Sequence, residues 1–268
     1  MKNFQKPNQH TLKVLILQTV FAITLMGCAE SISIRSAPPP LPIYEQPYCP
    51  GDGYIWVPGY WAYGPNGYFW VPGIWEMAPE VGWLWTPGYW GWSNDVYIWH
   101  SGYWGRLIGF YGGINYGYGY GGVGYEGGYW NNRTFYYNSA VTHVNVTVVQ
   151  NTYQSAVVEN SSTKTVVSYN GGAGGTAAKP LDKELIAVKD PHIAVTPGQK
   201  QHVKAAGSNR ELLASVNQGH PHPDILAKRQ ILRKAMKSPK QKKPPKIKGL
   251  DNKENEQKPH QEKGSGHL

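Results

Sequence analysis

Apolar and polar positions along the chain fall into four zones. Thirteen residues, Val14 to Met26, are apolar apart from Gln18, Thr19 and Thr24, and Lys2, Lys6 and Lys13 precede them. Such a run is too short for a helix spanning ~30 Å of hydrocarbon, which needs ~20 residues, and it reads as a signal peptide. Between residues 51 and 108, aromatic and β-branched residues alternate in short stretches separated by Gly, Pro, Asn and Asp. Four stretches match one another: YIWVPGYW (54–61), YFWVPGIW (68–75), WLWTPGYW (83–90) and YIWHSGYW (97–104). Beyond them lie a Gly/Tyr-rich zone and further β-formers, and then an aromatic-poor zone in which helical periodicity appears.

The repeats predict strands. With each Pro-Gly taken as the centre of a hairpin, Trp56 faces Trp61, Trp70 faces Trp75, Trp85 faces Trp90 and Trp99 faces Trp104. The turn residues are then Pro58, Gly59, Pro72, Gly73, Pro87, Gly88 and Gly102. Aromatic cross-strand pairs contribute roughly 0.2–1 kcal/mol each. One feature resists this pairing: L-Pro-Gly favours a type II turn, whose twist fits hairpins poorly, so a wider loop through Val57–Tyr60 is the alternative. Linkers GPNG (64–67), APEVG (78–82) and SND (93–95) join the hairpins. The predicted fold class is mainly β. It is an antiparallel meander of short Trp/Tyr-rich hairpins, followed by further strands and a partly helical, partly disordered basic tail.

These stretches resemble the bacterial WXXGXW (YXWGXW) repeat family of exported proteins, often lipoproteins. The fourth copy departs from the pattern, with His100-Ser101 where the others have a residue and Pro; the third opens on Trp83 in place of Tyr. The resemblance implies export and names no catalytic residue.

Six segments follow: a signal peptide (1–27), a Pro-rich tether (28–50), the repeat module (51–108), a Gly/Tyr-rich segment with strands (109–170), a linker with short helices (171–237) and a disordered Lys/Pro-rich tail (238–268). The tether reads as a semi-rigid extended spacer. Residues 105–128, dominated by Gly and Tyr, read as irregular chain unable to form a packed core. Val144, Val146 and Val148 alternate as in a strand with one buried face. Helices are predicted at 181–189, 208–216 and 223–237, the last cationic and amphipathic.

Leu25-Met26-Gly27-Cys28 resembles the lipobox of bacterial lipoproteins, which makes Cys28 the lipidated residue. Ala29 after it favours the outer membrane in a Gram-negative cell. Ordinary signal cleavage nearby is the alternative, and would leave Cys28 free to pair with Cys49. Otherwise Cys49 is an idle thiol.

Charge is segregated. The net +9 divides into +3 for the signal segment, −4 for residues 28–178 and +10 for residues 179–268. The basic part suits anionic lipid or other envelope polyanions. No Ser-His-Asp, Cys-His or carboxylate-pair context points to catalysis, and no cofactor is implied. His220 and His222 near Asp224, with His100, His143, His192 and His202 scattered, give only a weak metal signal. The expected function is that of a non-enzymatic envelope scaffold working through its aromatic repeats. The alternative is a glycan- or peptidoglycan-binding module using exposed Trp and Tyr. Aromatic stripes at β spacing are more often core than ligand platform.

Overall fold

Asn94 and Asp95 both adopt left-handed backbone, φ 49° and 63°, and they sit between Ser93 and Val96, the last pair of an antiparallel ladder. Two consecutive positive-φ residues make the hairpin turn whose twist matches that of the strands it joins. The chain therefore reverses at SND, not at Pro-Gly. In this computed structural model, residues 32–157 and 166–222 are described. Cys28, the expected signal peptide (1–27), the helix expected at 223–237 and the tail expected at 238–268 lie outside the described residues.

The reversal at 94–95 joins β7 (Tyr89–Ser93) to β8 (Val96–His100), with Trp90 opposite Trp99. Outward from the tip, the same register carries into β6 (Leu84–Thr86) and β9 (Tyr103–Gly105), with Trp85 opposite Trp104. The first two copies repeat the plan. β3 (Tyr60–Gly64) pairs with β4 (Gly67–Val71) around Pro65-Asn66, with Gly67 at φ 90°, and Trp61 faces Trp70. β2 (Tyr54–Val57) pairs with β5 (Ile74–Met77), and Trp56 faces Trp75. Tyr60–Val71 and Val57–Ile74 are successive ladder pairs flanking Pro58-Gly59 on one strand and Pro72-Gly73 on the other. Two copies thus build one long two-stranded ribbon, and the module is two such ribbons.

This corrects the pairing of Trp56 with Trp61, Trp70 with Trp75, Trp85 with Trp90 and Trp99 with Trp104, and with it the simple meander. Pro58, Gly59, Pro72, Gly73, Pro87, Gly88 and Gly102 are not hairpin turns. They lie in line, mid-ribbon, where proline's fixed φ and missing N–H interrupt the ladder without reversing it. GPNG and SND, read as linkers, are the hairpin tips; only APEVG joins separate units. Since Asp95 carries a side chain at positive φ, Asp95→Gly is expected to raise stability by up to about 1 kcal/mol, measured by urea unfolding.

Each interruption marks a change of partner. The outer halves of the ribbons bury Trp56, Trp75, Trp85 and Trp104 against Tyr111, Ile114, Tyr116, Tyr120, Phe135 and Tyr137. The tip halves bury Trp61, Trp70 and Trp90 with Tyr97, Ala206 and Leu212. The Gly/Tyr-rich zone is therefore core, contrary to its composition. It carries the pair β10 (Asn115–Gly117) and β11 (Tyr120–Gly121), and leads to β12 (Gly128–Asn131) and β13 (Thr134–Asn138).

Its tyrosines satisfy backbone groups that the broken ladders leave open. Tyr120, 0 % exposed, donates to the carbonyls of Trp56 at 3.2 Å and Trp85 at 2.8 Å, bridging the two ribbons at matching positions. Tyr116 donates to the Gly88 carbonyl at 2.7 Å. Burial pushes both hydroxyls well above the usual tyrosine range, so both stay protonated and able to donate. Tyr120→Phe strips the donor from two buried carbonyls and is expected to cost about 1–3 kcal/mol in denaturant unfolding.

The proline-rich segment is a strap, not a spacer. Trp61 donates its indole N–H to the Pro40 carbonyl at 2.9 Å, and Trp75 to that of Pro47 at 2.8 Å. Between them Tyr44 packs on Trp56 and Trp70, and accepts the Gly59 N–H at 3.2 Å. β1 (Ser33–Ile34) adds an edge to β8. Extended proline-rich chain makes no internal hydrogen bonds, so its carbonyls are open to accept from the indoles.

The expected valine strand does not form: residues 144–149 are turn and irregular chain, with Val146 and Val148 exposed and Val149 buried. Two further strands, β14 (Thr152–Tyr153) and β15 (Tyr169–Asn170), join by parallel pairing to β13 and β7. Helix α1 (Asp182–Lys189) matches expectation, and β16 (His192–Ile193) pairs with β9. Helix α2 (Pro197–Gly207) has no counterpart among the expected elements. In place of a helix at 208–216 stand a 3-10 turn, Arg210–Leu212, and α3 (Ala214–Asn217), because Leu213 between them is extended. No helix among the described residues is long and apolar enough to cross a membrane.

Candidate functional site

The fixed element of each repeat is its glycine, and the ribbon geometry explains it. A Cβ on Gly59 would lie 2.3 Å from the ring of Trp70, and one on Gly73 would lie 2.4 Å from that of Trp56. In the second ribbon the distances are 2.5 Å from Gly88 to Trp99 and 2.5 Å from Gly102 to Trp85. The first Trp of each copy thus covers the glycine of its sister copy, reciprocally, while the second Trp of each copy stacks edge-on or tilted against the sister's first. Ring centroids in the four cross-strand pairs stand 5.3–5.4 Å apart. Trp, two residues, Gly, one residue, Trp is the pattern for two strands of one ribbon in close contact under a pair of indoles.

The family model for the WXXGXW repeat matches the chain twice, at residues 51–76 and 81–104. The chain carries two WXXGXW repeats. Each match spans one ribbon, so the WXXGXW repeat coincides with the structural unit of two Trp-Gly-Trp stretches. None of the curated proteins and none of the solved structures compared with the chain matches it.

Of the eight tryptophans of the WXXGXW repeats, Trp56, Trp61, Trp70, Trp75, Trp85, Trp90 and Trp104 are each at most 8 % exposed. Trp99 is half-buried. Two of them use their indole N–H groups across the fold: Trp90 donates to the Trp61 carbonyl at 2.8 Å, tying the ribbons together, and Trp104 to Gln199 at 2.9 Å.

The ribbons and helix α2 enclose a cleft of about 380 Å³. Pro58 and Tyr60 come from the first ribbon; Trp85, Pro87, Gly88, Trp99, Ser101 and Gly102 come from the second. Tyr60 stacks on Trp99 with centroids 4.9 Å apart and planes 15° apart. Tyr116 reaches the cleft from the Gly/Tyr zone, and Val195, Lys200, Val203 and Lys204 come from the α2 region. The helix is fixed over the cleft at both ends. Thr196 caps it, accepting from the Gln199 N–H at 3.1 Å, while Gln199 accepts from Trp104. Ala206 and Leu212 bury themselves beside Phe69.

Sequence reasoning pointed to the tryptophans here but not to Tyr60, Lys200, Val203 or Lys204. The signal for the helix was Thr196-Pro197-Gly198-Gln199, a capping box with Pro at the first helical position. From that start, Lys200, Val203 and Lys204 fall on one face.

Among the scattered histidines, His100 stacks on Tyr89 at 4.5 Å, with burial holding its pKa below the ordinary value. His202 bonds the Pro72 carbonyl at 2.7 Å. No group of three or more His, Cys, Asp or Glu that could hold a metal ion occurs among the described residues. Cys49 is a buried free thiol, 3 % exposed, with its Sγ 3.1 Å from the Gly51 carbonyl; burial pushes its pKa up to about 11. Its labelling by a disulfide reagent at neutral pH should track unfolding, being slow in the native protein and fast in denaturant. Rapid native labelling would contradict its placement in the core.

Proposed function

We propose that this chain is a non-enzymatic scaffold of the bacterial cell envelope, held to a membrane by lipid on Cys28 and offering partners a rigid aromatic β module. The observation that carries the reading is the burial of the repeat tryptophans. Seven of eight form core, and the indole N–H groups of Trp61, Trp75, Trp90 and Trp104 are spent on the strap, the neighbouring ribbon and α2. A surface that read glycans through its repeat tryptophans would present them to solvent; here only Trp99 is half-buried.

Anchoring rests on the apolar run before Leu25-Met26-Gly27-Cys28 and on the acyl chains such a cysteine carries, which bind bilayers far more firmly than one chain alone. The basic C-terminal segment, +10 over residues 179–268, supplies attraction to envelope polyanions that should weaken as salt rises.

Acrylamide quenching of tryptophan emission tests the scaffold reading. Emission largely shielded from acrylamide is expected. Open quenching of most tryptophans contradicts it. Incorporation of labelled palmitate that disappears in Cys28→Ser tests the anchor, and labelling that survives the substitution contradicts it.

A further inference from the structure

The two ribbons are alike in plan but not in what covers their crossings. In the first, the indoles over the crossing, Trp56 and Trp70, meet the ring of Tyr44 at 6.4 and 5.9 Å, and both are 0 % exposed. Their counterparts in the second ribbon, Trp85 and Trp99, lie at the cleft instead; Trp85 is 4 % exposed and Trp99 is half-buried. Where Tyr44 closes the first crossing, the second opens on a cleft whose aromatic wall is the stacked pair of Tyr60 and Trp99.

The wall also differs in chemistry. At the four crossings the sequence has Pro58, Pro72, Pro87 and Ser101. Ser101 lines the cleft and brings a hydroxyl and a backbone N–H where proline offers neither. Opposite, Lys200 and Lys204 stand one helical turn apart with Val203 between them, and the lining includes no Asp or Glu to offset the two ammonium groups.

We propose that the cleft between the ribbons binds a saccharide ring bearing an anionic group. The apolar C–H face of the ring would lie against the pair of Trp99 and Tyr60, its hydroxyls beside Ser101, and its carboxylate or phosphate between Lys200 and Lys204. At about 380 Å³ the cleft falls in the range of small-molecule sites, which combine a largely apolar lining with a few polar groups that set orientation. Sugar rings suit such a wall because they are apolar on one face and polar at the rim. This site uses Trp99 and leaves the buried tryptophans as core, so it goes beyond the scaffold reading.

Isothermal titration calorimetry on the full chain tests it, with five probes each raised to about 10 mM, the range of weak single-site binding. N-Acetylmuramic acid and glucose 6-phosphate carry the charge as carboxylate and as phosphate. N-Acetylglucosamine and glucose are their neutral counterparts, and inorganic phosphate is the charge alone. The expected result is binding of at least one anionic sugar about tenfold or more tighter than its neutral counterpart and than phosphate. A preference between the two anionic sugars assigns the acidic group. Lys200→Gln/Lys204→Gln, on the exposed helix face, should abolish that preference without changing the thermal midpoint. Tyr60→Leu should weaken both classes of sugar. No binding by any sugar, equal binding of charged and neutral sugars, phosphate binding as well as either sugar, or a preference that survives the double lysine variant overturns the proposal.

Discussion

Gly59→Ala is expected to destabilise the protein by about 3 kcal/mol or more, against changes within about 0.5 kcal/mol for Gly51→Ala. The methyl added at position 59 would sit 2.3 Å from the Trp70 ring and 3.0 Å from the Gly73 nitrogen, whereas a Cβ on Gly51 meets nothing within 4 Å. Trp70 cannot give way, because it is 0 % exposed and wedged between Trp61 and Tyr44. Nor can the facing backbone, since Gly73 is itself covered by Trp56. In a domain of this size the loss amounts to a drop of about 6–12 °C in thermal midpoint. Gly73→Ala, Gly88→Ala and Gly102→Ala meet the same obstruction and should behave alike.

Trp70→Ala removes the same ring and is expected to cost about 3–5 kcal/mol, the range for emptying a buried aromatic site. Three contacts go together: the edge-on pair with Trp61 at 5.4 Å, the contact with Tyr44 at 5.9 Å, and the cover over Gly59. The two substitutions should not add. In a Trp70→Leu background the methyl of Gly59→Ala has room, so its cost should fall by at least about 1 kcal/mol in a double-mutant cycle. Full additivity would mean that the indole does not lie on the glycine.

The strands of the module could be read from the four matched stretches, and the likeness to the WXXGXW repeat from the same residues. Which strand pairs with which could not be settled by matching tryptophans. Folding about Pro58-Gly59 sets Trp56 against Trp61; folding about Pro65-Asn66 sets Trp61 against Trp70 and Trp56 against Trp75. Both align indole with indole. The decision lay in turn chemistry: Asn94 and Asp95 tolerate positive φ, while proline's φ is fixed near −65° and the twist of a Pro-Gly turn opposes that of the strands.

Other misreadings share one cause, namely that composition records local preference and not what lies across the fold. Val144, Val146 and Val148 alternate like a strand, yet Val146 and Val148 face solvent and only Val149 is buried. The Gly/Tyr stretch lacks aliphatic bulk, but Tyr116 and Tyr120 are there for their hydroxyls as much as for their rings, and the carbonyls they reach are 28 to 64 residues away. An extended proline-rich segment has the same backbone whether it stands free or lies along a ribbon. Tyr44, with Trp61 and Trp75 reaching for its neighbours' carbonyls, makes it a strap. The cleft was hidden because it needs one wall from each ribbon and a third from a helix about a hundred residues farther along.

A matched pair of insertions tests the ribbon most directly. Five flexible residues are placed in one variant between Pro65 and Asn66, and in the other between Pro58 and Gly59, and the thermal midpoints of both are measured. Since Pro65 and Asn66 form an exposed tip, lengthening it costs only loop entropy, about 1 kcal/mol or less. Between Pro58 and Gly59 the same residues must be forced into a crossing closed by two indoles, and cooperative unfolding should be lost or its midpoint lowered by more than about 10 °C. The reverse result, with the Pro58-Gly59 insertion tolerated and the tip insertion disruptive, would put the turn at Pro-Gly and contradict the account.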